Sequence, residues 1–488
     1  MTRIVVHGHF YQPPREDPRT GEIDPQPSAA PFHDWNERVH AESYLSNVFA
    51  DLQTPKGEEV VNTFERMSFN VGPTLMSWME RFHPRTYQRI IRADEKSVER
   101  LGHGNAIAQA FHHTILPLSN MRDVRTQVRW GLADFRHRFG RDALGLWLPE
   151  TAANDDVLRV LIEEGVAFTI LAPWQAGRWR EPGGAWHDVA TEGLDTRIPY
   201  RLLHPDGSGR SVTLFFYDAD IARAIAFENA MASAEGFIDM FEAHAVGDEG
   251  IVHAATDGET YGHHQEFGEI GLAYALFVEA ERREVSVINY AAHLHEHPAE
   301  LEVELVPGDG TSWSCAHGVE RWRSACGCVT GGEPGWNLEW RAPLREGLEL
   351  IRDEADEVFE RLASSVFTDP WRARDEYVRV VIGAEEVDAF IAKHASGPLD
   401  DGARANAALL LELQNDAMSM FTSCGWFFAD IAGIEATQVL RYAARTLELM
   451  AALDQPTPRE AFIRSLERAK SNDPDAGTGA DVFTGLTR

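Results

Sequence analysis

Seven short apolar runs punctuate the first half of the chain: Ile4–Val6, Val60–Phe69, Asn105–Ala110, Ala143–Leu148, Phe168–Ala172, Val212–Tyr217 and Ile251–Ala255. Each is rich in β-branched or aromatic residues, the pattern of strands buried in a parallel sheet. Between most of them, Asp34–Leu52, Arg85–Leu101, Asp123–Phe139 and Asn154–Glu164 carry apolar residues at helical spacing. Asn154 before Asp155 and Asp156 reads as an N-cap with a favourable acidic first turn. Such alternation restricts the fold to a doubly wound sheet or an α/β barrel. The strand ends favour the barrel. His7 and His9, Asn70, His112 and His113, Glu150, Gln175, Asp218 and Asp257 stand at the C-terminal ends of the runs, where barrel enzymes gather their chemistry from several strands.

Past residue 300 the pattern changes. Pro307–Trp336 is irregular, and Leu338–Val366, Trp371–Lys393, Ala403–Thr422, Ile434–Leu453 and Arg459–Ala469 then carry long apolar stripes opposite charged faces. The expected organisation is α/β. A barrel over 1–300 is followed by a Trp-, Cys- and Gly-rich connecting segment over 301–337 near the active site. A helical domain over 338–470 and a flexible polar tail over 471–488 complete it.

The formal charge of −32 repels nucleic-acid phosphates and anionic membrane surfaces, whereas a neutral sugar meets no such penalty. Lysine is confined to Lys56, Lys96, Lys393 and Lys470, with arginine supplying the other cations. The opening MTRIVVHGHF lacks the basic and apolar segments of a secretory signal, and no stretch is apolar for long enough to span a bilayer. Four cysteines in 488 residues do not make a disulfide scaffold. A cytoplasmic location with reduced thiols is expected.

Three segments concentrate reactive groups. In Gly145-Leu-Trp-Leu-Pro-Glu150, Pro149 ends a strand containing Trp147 and presents Glu150 at the rim. In His253-Ala-Ala-Thr-Asp257-Gly-Glu-Thr-Tyr-Gly-His-His264, an acid at a strand end precedes a glycine turn, then Glu259, Tyr261, His263 and His264. The first strand carries His7 and His9 on one face, followed by Gln12-Pro13. Two histidines on one strand face suit a metal or a polar ligand.

In order and spacing these segments resemble the conserved regions of glycoside hydrolase family 57, over roughly residues 1–430. Members include α-amylases, amylopullulanases, 4-α-glucanotransferases and glucan-branching enzymes. His9 and Gln12-Pro13 match the first region. Gly104–His112 matches the second loosely. Trp147-Leu-Pro-Glu150 matches the third, which ends in the nucleophile. Asp257-Gly-Glu259-Thr-Tyr261-Gly262 matches the fourth, which holds the acid/base. The resemblance implies an incomplete (β/α)7 barrel with an α-helical C-terminal domain, and a retaining mechanism on α-glucans or maltooligosaccharides. Glu150 and Asp257 are then catalytic, with no metal or other cofactor required. Expected substrate contacts are His7, His9, Gln12, His112, Trp147, Glu259, Tyr261, His264, Trp313, His317 and Trp426. The segment Trp313–Trp322 and Cys326-Gly-Cys328 departs from well-studied members, and the chain looks closest to a subgroup with an uncharacterised C-terminal region.

Two rival readings belong to other classes. One is a metal-dependent carbohydrate hydrolase, deacetylase-like, using His7, His9 and Asp257. The other is a non-catalytic glycan-binding relative. Cys315-x-His317 with Cys326-x-Cys328 invites a zinc reading, but zinc clusters use Cys-x-x-Cys, so buried thiols in a structured loop are the expectation. Hydrolysis and transfer, linkage, chain length and oligomeric state are not encoded in these motifs.

Overall fold

In the computed structural model, which describes residues 2–54, 57–245, 247 and 250–487, seven parallel strands form the barrel. They are β1 (Arg3–Phe10), β2 (Ser68–Val71), β3 (Ala108–Gln109), β4 (Leu146–Trp147), β5 (Phe168–Leu171), β6 (Ser211–Phe216) and β7 (Val252–Asp257). β1 pairs with both β7 and β2, β3 with β4, and β5 with β6, all parallel. Single parallel bridges, Phe69 to Ala106 and Gly145 to Phe168, carry the wall from β2 to β3 and from β4 to β5. From β6 to β7 the link is one backbone bond, Asp218 N to His253 O, at 2.8 Å. The wall is therefore closed by thin joints, as the incomplete (β/α)7 barrel requires.

Six of the seven expected runs coincide with a barrel strand. The run Val60–Phe69 divides: its start belongs to a hairpin of Ala50–Thr54 with Gly57–Val61, and the barrel strand begins only at Ser68. Polar Asn62 breaks the run, its side chain accepting from Phe64 N to start a short 3-10 turn. The hairpin also shortens the expected helix Asp34–Leu52, which ends at Val48. The other helical readings before residue 300 hold, and Asn154 caps Asp155–Glu163 through Val157 N at 2.9 Å.

The chain divides into two compact units. The first comprises Met1–Gln12, Pro25–Gln109 and Arg138–Gly308; the second comprises Pro13–Asp24, Ala110–His137 and Asp309–Arg488. The main block of the first unit runs to Gly308, and two earlier segments join the second unit. Within it, helices Arg341–Ala363, Asp401–Ser419 and Ile434–Ala452 bury apolar stripes. The buried Arg374 bonds Asp123, Thr126 and Gln414 at 2.6–3.0 Å, fastening the early segment Ala110–His137. The expected single helix Trp371–Lys393 is three, Pro370–Glu376, Val378–Val381 and Val387–His394, interrupted by Gly383 at φ 71°. The expected loose tail holds a helix, Gly479–Leu486. Thr478 and Asp481 cap it reciprocally, and Phe483 is buried against Phe462. Among the described residues no helix is long and apolar enough to cross a membrane.

Candidate active site

The register of β1 sets a layer of side chains. His9 pairs with Asn70 of β2 on one side and with Asp257 of β7 on the other. Paired residues of parallel strands point to the same face, so the three side chains share one level at the strand ends. Gln109 pairs with Trp147 across β3 and β4. Asn70 reaches Gln109, Nδ2 to Oε1, at 2.7 Å. Trp147 lies under both histidines, its ring 5.0 Å from His7 and 4.9 Å from His9, each tilted by 18°.

Asn70 orders the protons of this layer. Its Nδ2 donates to His9 Nδ1 at 2.8 Å, and its Oδ1 accepts from His7 Nε2 at 3.0 Å. His7 Nδ1 then accepts from the Ser68 hydroxyl at 3.0 Å. Desolvation lowers both imidazoles to a pKa of about 3 against the hydrogen bonds from Asn70, so both are neutral. A neutral His9 that accepts at Nδ1 carries its proton on Nε2. With both nitrogens engaged, His7 is not a metal ligand. Among the described residues, ligand atoms of His7, His9 and Asp257 do not converge, which disfavours the metal-hydrolase reading.

Glu150 follows β4 in a short 3-10 turn, Pro149–Thr151. Glu150 (φ 58°) and Thr151 (φ 50°) are both left-handed. Non-glycine residues in that region cost about 1–3 kcal/mol each and persist only where neighbours hold them. Gln175 supplies the hold. Its Oε1 accepts from Thr151 Oγ1 and from Ala172 N, both at 2.9 Å, and its Nε2 donates to Thr151 O at 2.8 Å. Gln175 and Thr151 have no exposed surface, so these bonds meet no competition from water.

Asp257 ends β7 with its side chain open to solvent, although protein crowds it on other sides. Desolvation, and then the charge of Glu150, raises its pKa to about 7. The following glycine opens the expected turn, Gly258–Thr260, and packing also requires it. A Cβ on Gly258 would stand 2.4 Å from the Phe10 ring.

Other expected contacts have different roles. Glu259 is buried, accepting from Tyr11 N at 2.9 Å and Tyr44 Oη at 2.6 Å, and desolvation raises it to about 8. It ties the end of β7 to the end of β1. Tyr261 has no exposed surface and meets Thr256 Oγ1 at 3.1 Å. Trp147 is equally buried and supports the histidines rather than presenting a face to a ligand. His264 is exposed and Gln12 half-buried. Asp218 is a helix cap, accepting from Asp220 N and Ile221 N at 3.0 Å and from His244 at 2.6 Å. His112, Trp313, His317 and Trp426 belong to the second unit. There His112 is held by Gln127 at 2.8 Å. Trp426 is wholly buried, donating Nε1 to Arg341 O at 3.2 Å, so it offers no stacking face. Trp313 is half-buried and His317 exposed.

Sequence reasoning passed over Trp174. Its indole is 48% exposed and meets Tyr217 edge-on at 6.3 Å. The charge of Asp257 bears on the Tyr217 hydroxyl, which desolvation chiefly raises. An exposed aromatic thus stands one ring removed from the acid. Its position three residues past the end of β5 was the available signal.

Fold and site together define an α/β-barrel protein with two interacting carboxylates at its strand ends. A family model described as glycosyl hydrolase family 57 matches residues 32–305, more than half of the chain, and the chain belongs to that family. A second model, described as a domain of unknown function (DUF3536), matches residues 336–488. A 4-α-glucanotransferase from Thermococcus litoralis is 22% identical over 207 residues, covering 42% of this chain and 28% of that protein, so the match spans little more than a quarter of that relative. Among solved structures, an exo-type maltose-forming amylase from Pyrococcus sp. ST04 has a TM-score of 0.68 at 15% identity, covering 100% of this chain and 88% of the other. A branching enzyme from Pyrococcus horikoshii has a TM-score of 0.56 at 16% identity, covering 99% and 94%. At such identities these likenesses establish the fold.

Proposed function

We propose that this chain cleaves or transfers α-glycosidic bonds of α-glucans by a retaining mechanism, with Glu150 as nucleophile and Asp257 as acid/base. The observation that carries the reading is the pairing of a carboxylate on a held, left-handed turn with a carboxyl whose pKa of about 7 leaves it about half protonated at neutrality. Membership of family 57 and the activities of the relatives support the same chemistry. In the first step Glu150 attacks the anomeric carbon, the glycosidic C–O bond breaks, and Asp257 gives its proton to the departing oxygen. In the second, the Asp257 carboxylate takes a proton from water or from an acceptor hydroxyl. That oxygen displaces Glu150, and the anomeric configuration is retained. Trp174 offers an indole face to a pyranose ring.

Incubation with maltooligosaccharides, glycogen and pullulan, followed by product profiling, identifies the substrate and separates hydrolysis from transfer. On that substrate Glu150→Gln should lose at least about 10³-fold in kcat with an unchanged circular dichroism spectrum. Azide should partly restore Glu150→Gly. Asp257→Asn should retain activated aryl glycosides best, and mass spectrometry should find a glycosyl adduct on the peptide holding Glu150. Near-normal turnover by Glu150→Gln, or equal loss on activated and unactivated substrates with no adduct, would overturn the assignment.

A further inference from the structure

We infer that Cys315, His317, Cys326 and Cys328 form a four-coordinate zinc site in the second unit. The inference does not rest on the glycosidase reading. One ligand atom from each residue lies within 4.8 Å of all the others. The Cys315 and Cys326 sulfurs are 3.8 Å apart, and Cys328 Sγ is 3.5 Å from His317 Nδ1. Zn–S bonds of about 2.3 Å and Zn–N bonds of about 2.0–2.1 Å in a tetrahedron give an S···S edge of about 3.8 Å and an S···N edge of about 3.5 Å. The sulfurs are therefore spaced as ligands of a common ion, well beyond the bonding distance of a disulfide.

The Cys-x-Cys spacing argued against zinc in the sequence, and the backbone explains why it serves. Gly327 adopts φ 89° between the two cysteines, a conformation that side chains resist, and the turn brings both thiols to one point. Gly318, at φ 81°, leaves no room for a Cβ, which would stand 2.5 Å from Gly310 O. Ser312 Oγ donates to Gly318 O at 2.7 Å and holds the loop bearing Cys315 and His317.

Charge supplies an independent argument. Arg341 has no exposed surface, and its Nη1 donates to Cys328 O at 2.8 Å. Its other hydrogen bonds go to the Phe427 and Phe428 carbonyls. Among the described residues it pairs with no carboxylate, and its Nε has no partner. A buried guanidinium with no anion is costly. Zinc with three thiolates and a neutral imidazole carries one net negative charge, placed against that cation. Four protein ligands leave no open coordination position, so the site is structural. The ligands fall between the ranges matched by the two family models.

The test is metal analysis of the full, untagged protein purified without chelator. About one zinc per chain is expected. Cys326→Ser and Cys328→Ser should each lose it, while Cys424→Ser, outside the cluster, should keep it. Because a cysteine variant can fail to fold, wild-type protein exchanged into cobalt(II) gives a second reading. The visible bands of tetrahedral thiolate–cobalt should appear and be displaced by zinc. Wild-type protein that holds no zinc and takes up neither ion would overturn the inference. So would zinc retained by both variants, or a Cys315–Cys326 disulfide peptide recovered from native protein.

Discussion

At the scale of single residues, the site turns on where two protons reside. The raised pKa of Asp257 means that the carboxyl keeps its proton up to about pH 7 and loses it above. An acid that must protonate the leaving oxygen is then lost as pH rises, so kcat/KM should fall on its alkaline side with a midpoint near 7. Removing the charge of Glu150 lowers the Asp257 pKa, since that charge is the second cause of the shift. Infrared titration of the carboxyl in Glu150→Gln should find the lower value, and an unchanged value would place the two groups out of electrostatic reach. Gln175 acts through another residue. Gln175→Leu removes three hydrogen bonds from Thr151 and Ala172 and releases two left-handed residues. We expect kcat to fall at least about 10-fold with KM little changed, and stability to drop by about 1–3 kcal/mol. A change in KM alone would count against a role in holding Glu150.

At the scale of elements, the junction of β7 with β1 is closely packed. Phe10 is fully buried, packing against Phe64 at 4.8 Å and Tyr44 at 6.0 Å, and Gly258 leaves it space. Gly258→Ala should cost about 1–3 kcal/mol through overpacking. Pairing it with Phe10→Leu should recover part of that loss, and denaturant melts of the four proteins in the cycle measure the coupling. The same junction separates what the sequence disclosed from what it hid. His9, Glu150 and Asp257 were readable because strand ends are marked by a change from apolar to ionisable residues. Gln175 was visible as such an end, but its partner Thr151 lies 24 positions earlier, and nothing local announces a bond between neighbouring strands. Glu259 and Tyr261 looked like ligand contacts because polar residues beside an acid suggest a site; burial turned them into ties. The strand extension from Tyr200–Leu203 through Leu301–Leu305 to Ala176–Arg180 escaped because those strands carry charged residues such as Arg178, Arg201 and Glu302. Arg178 pairs with Glu304, and Arg180 and Arg201 with Glu302, across strands, so the runs never read as apolar.

At the scale of the whole molecule, neither unit is a continuous piece of chain. Ala110–His137 lies between β3 and β4 in sequence and belongs to the second unit. Asp123 and Thr126 take hydrogen bonds from Arg374, and Trp130 Nε1 donates to Arg374 O at 3.2 Å. A chain cut after residue 308 would leave Asp123, Thr126 and Trp130 buried-type side chains without these partners. Such a fragment should be insoluble or lack a cooperative thermal transition, whereas the full chain should show one. A soluble fragment with cooperative unfolding would show that the first unit can stand without the later helices.

The same interleaving sets a timetable for synthesis. Asp123 leaves the ribosome 251 residues ahead of the arginine that completes it. At roughly 5–20 residues per second that interval is on the order of 10–50 s. All of β4 to β7 is made in the meantime, so the barrel can gather its strands while the helix between β3 and β4 still waits for a partner. A nascent chain stalled before residue 374 would therefore present the apolar face of that helix to solvent or to a chaperone, and one released beyond it would not.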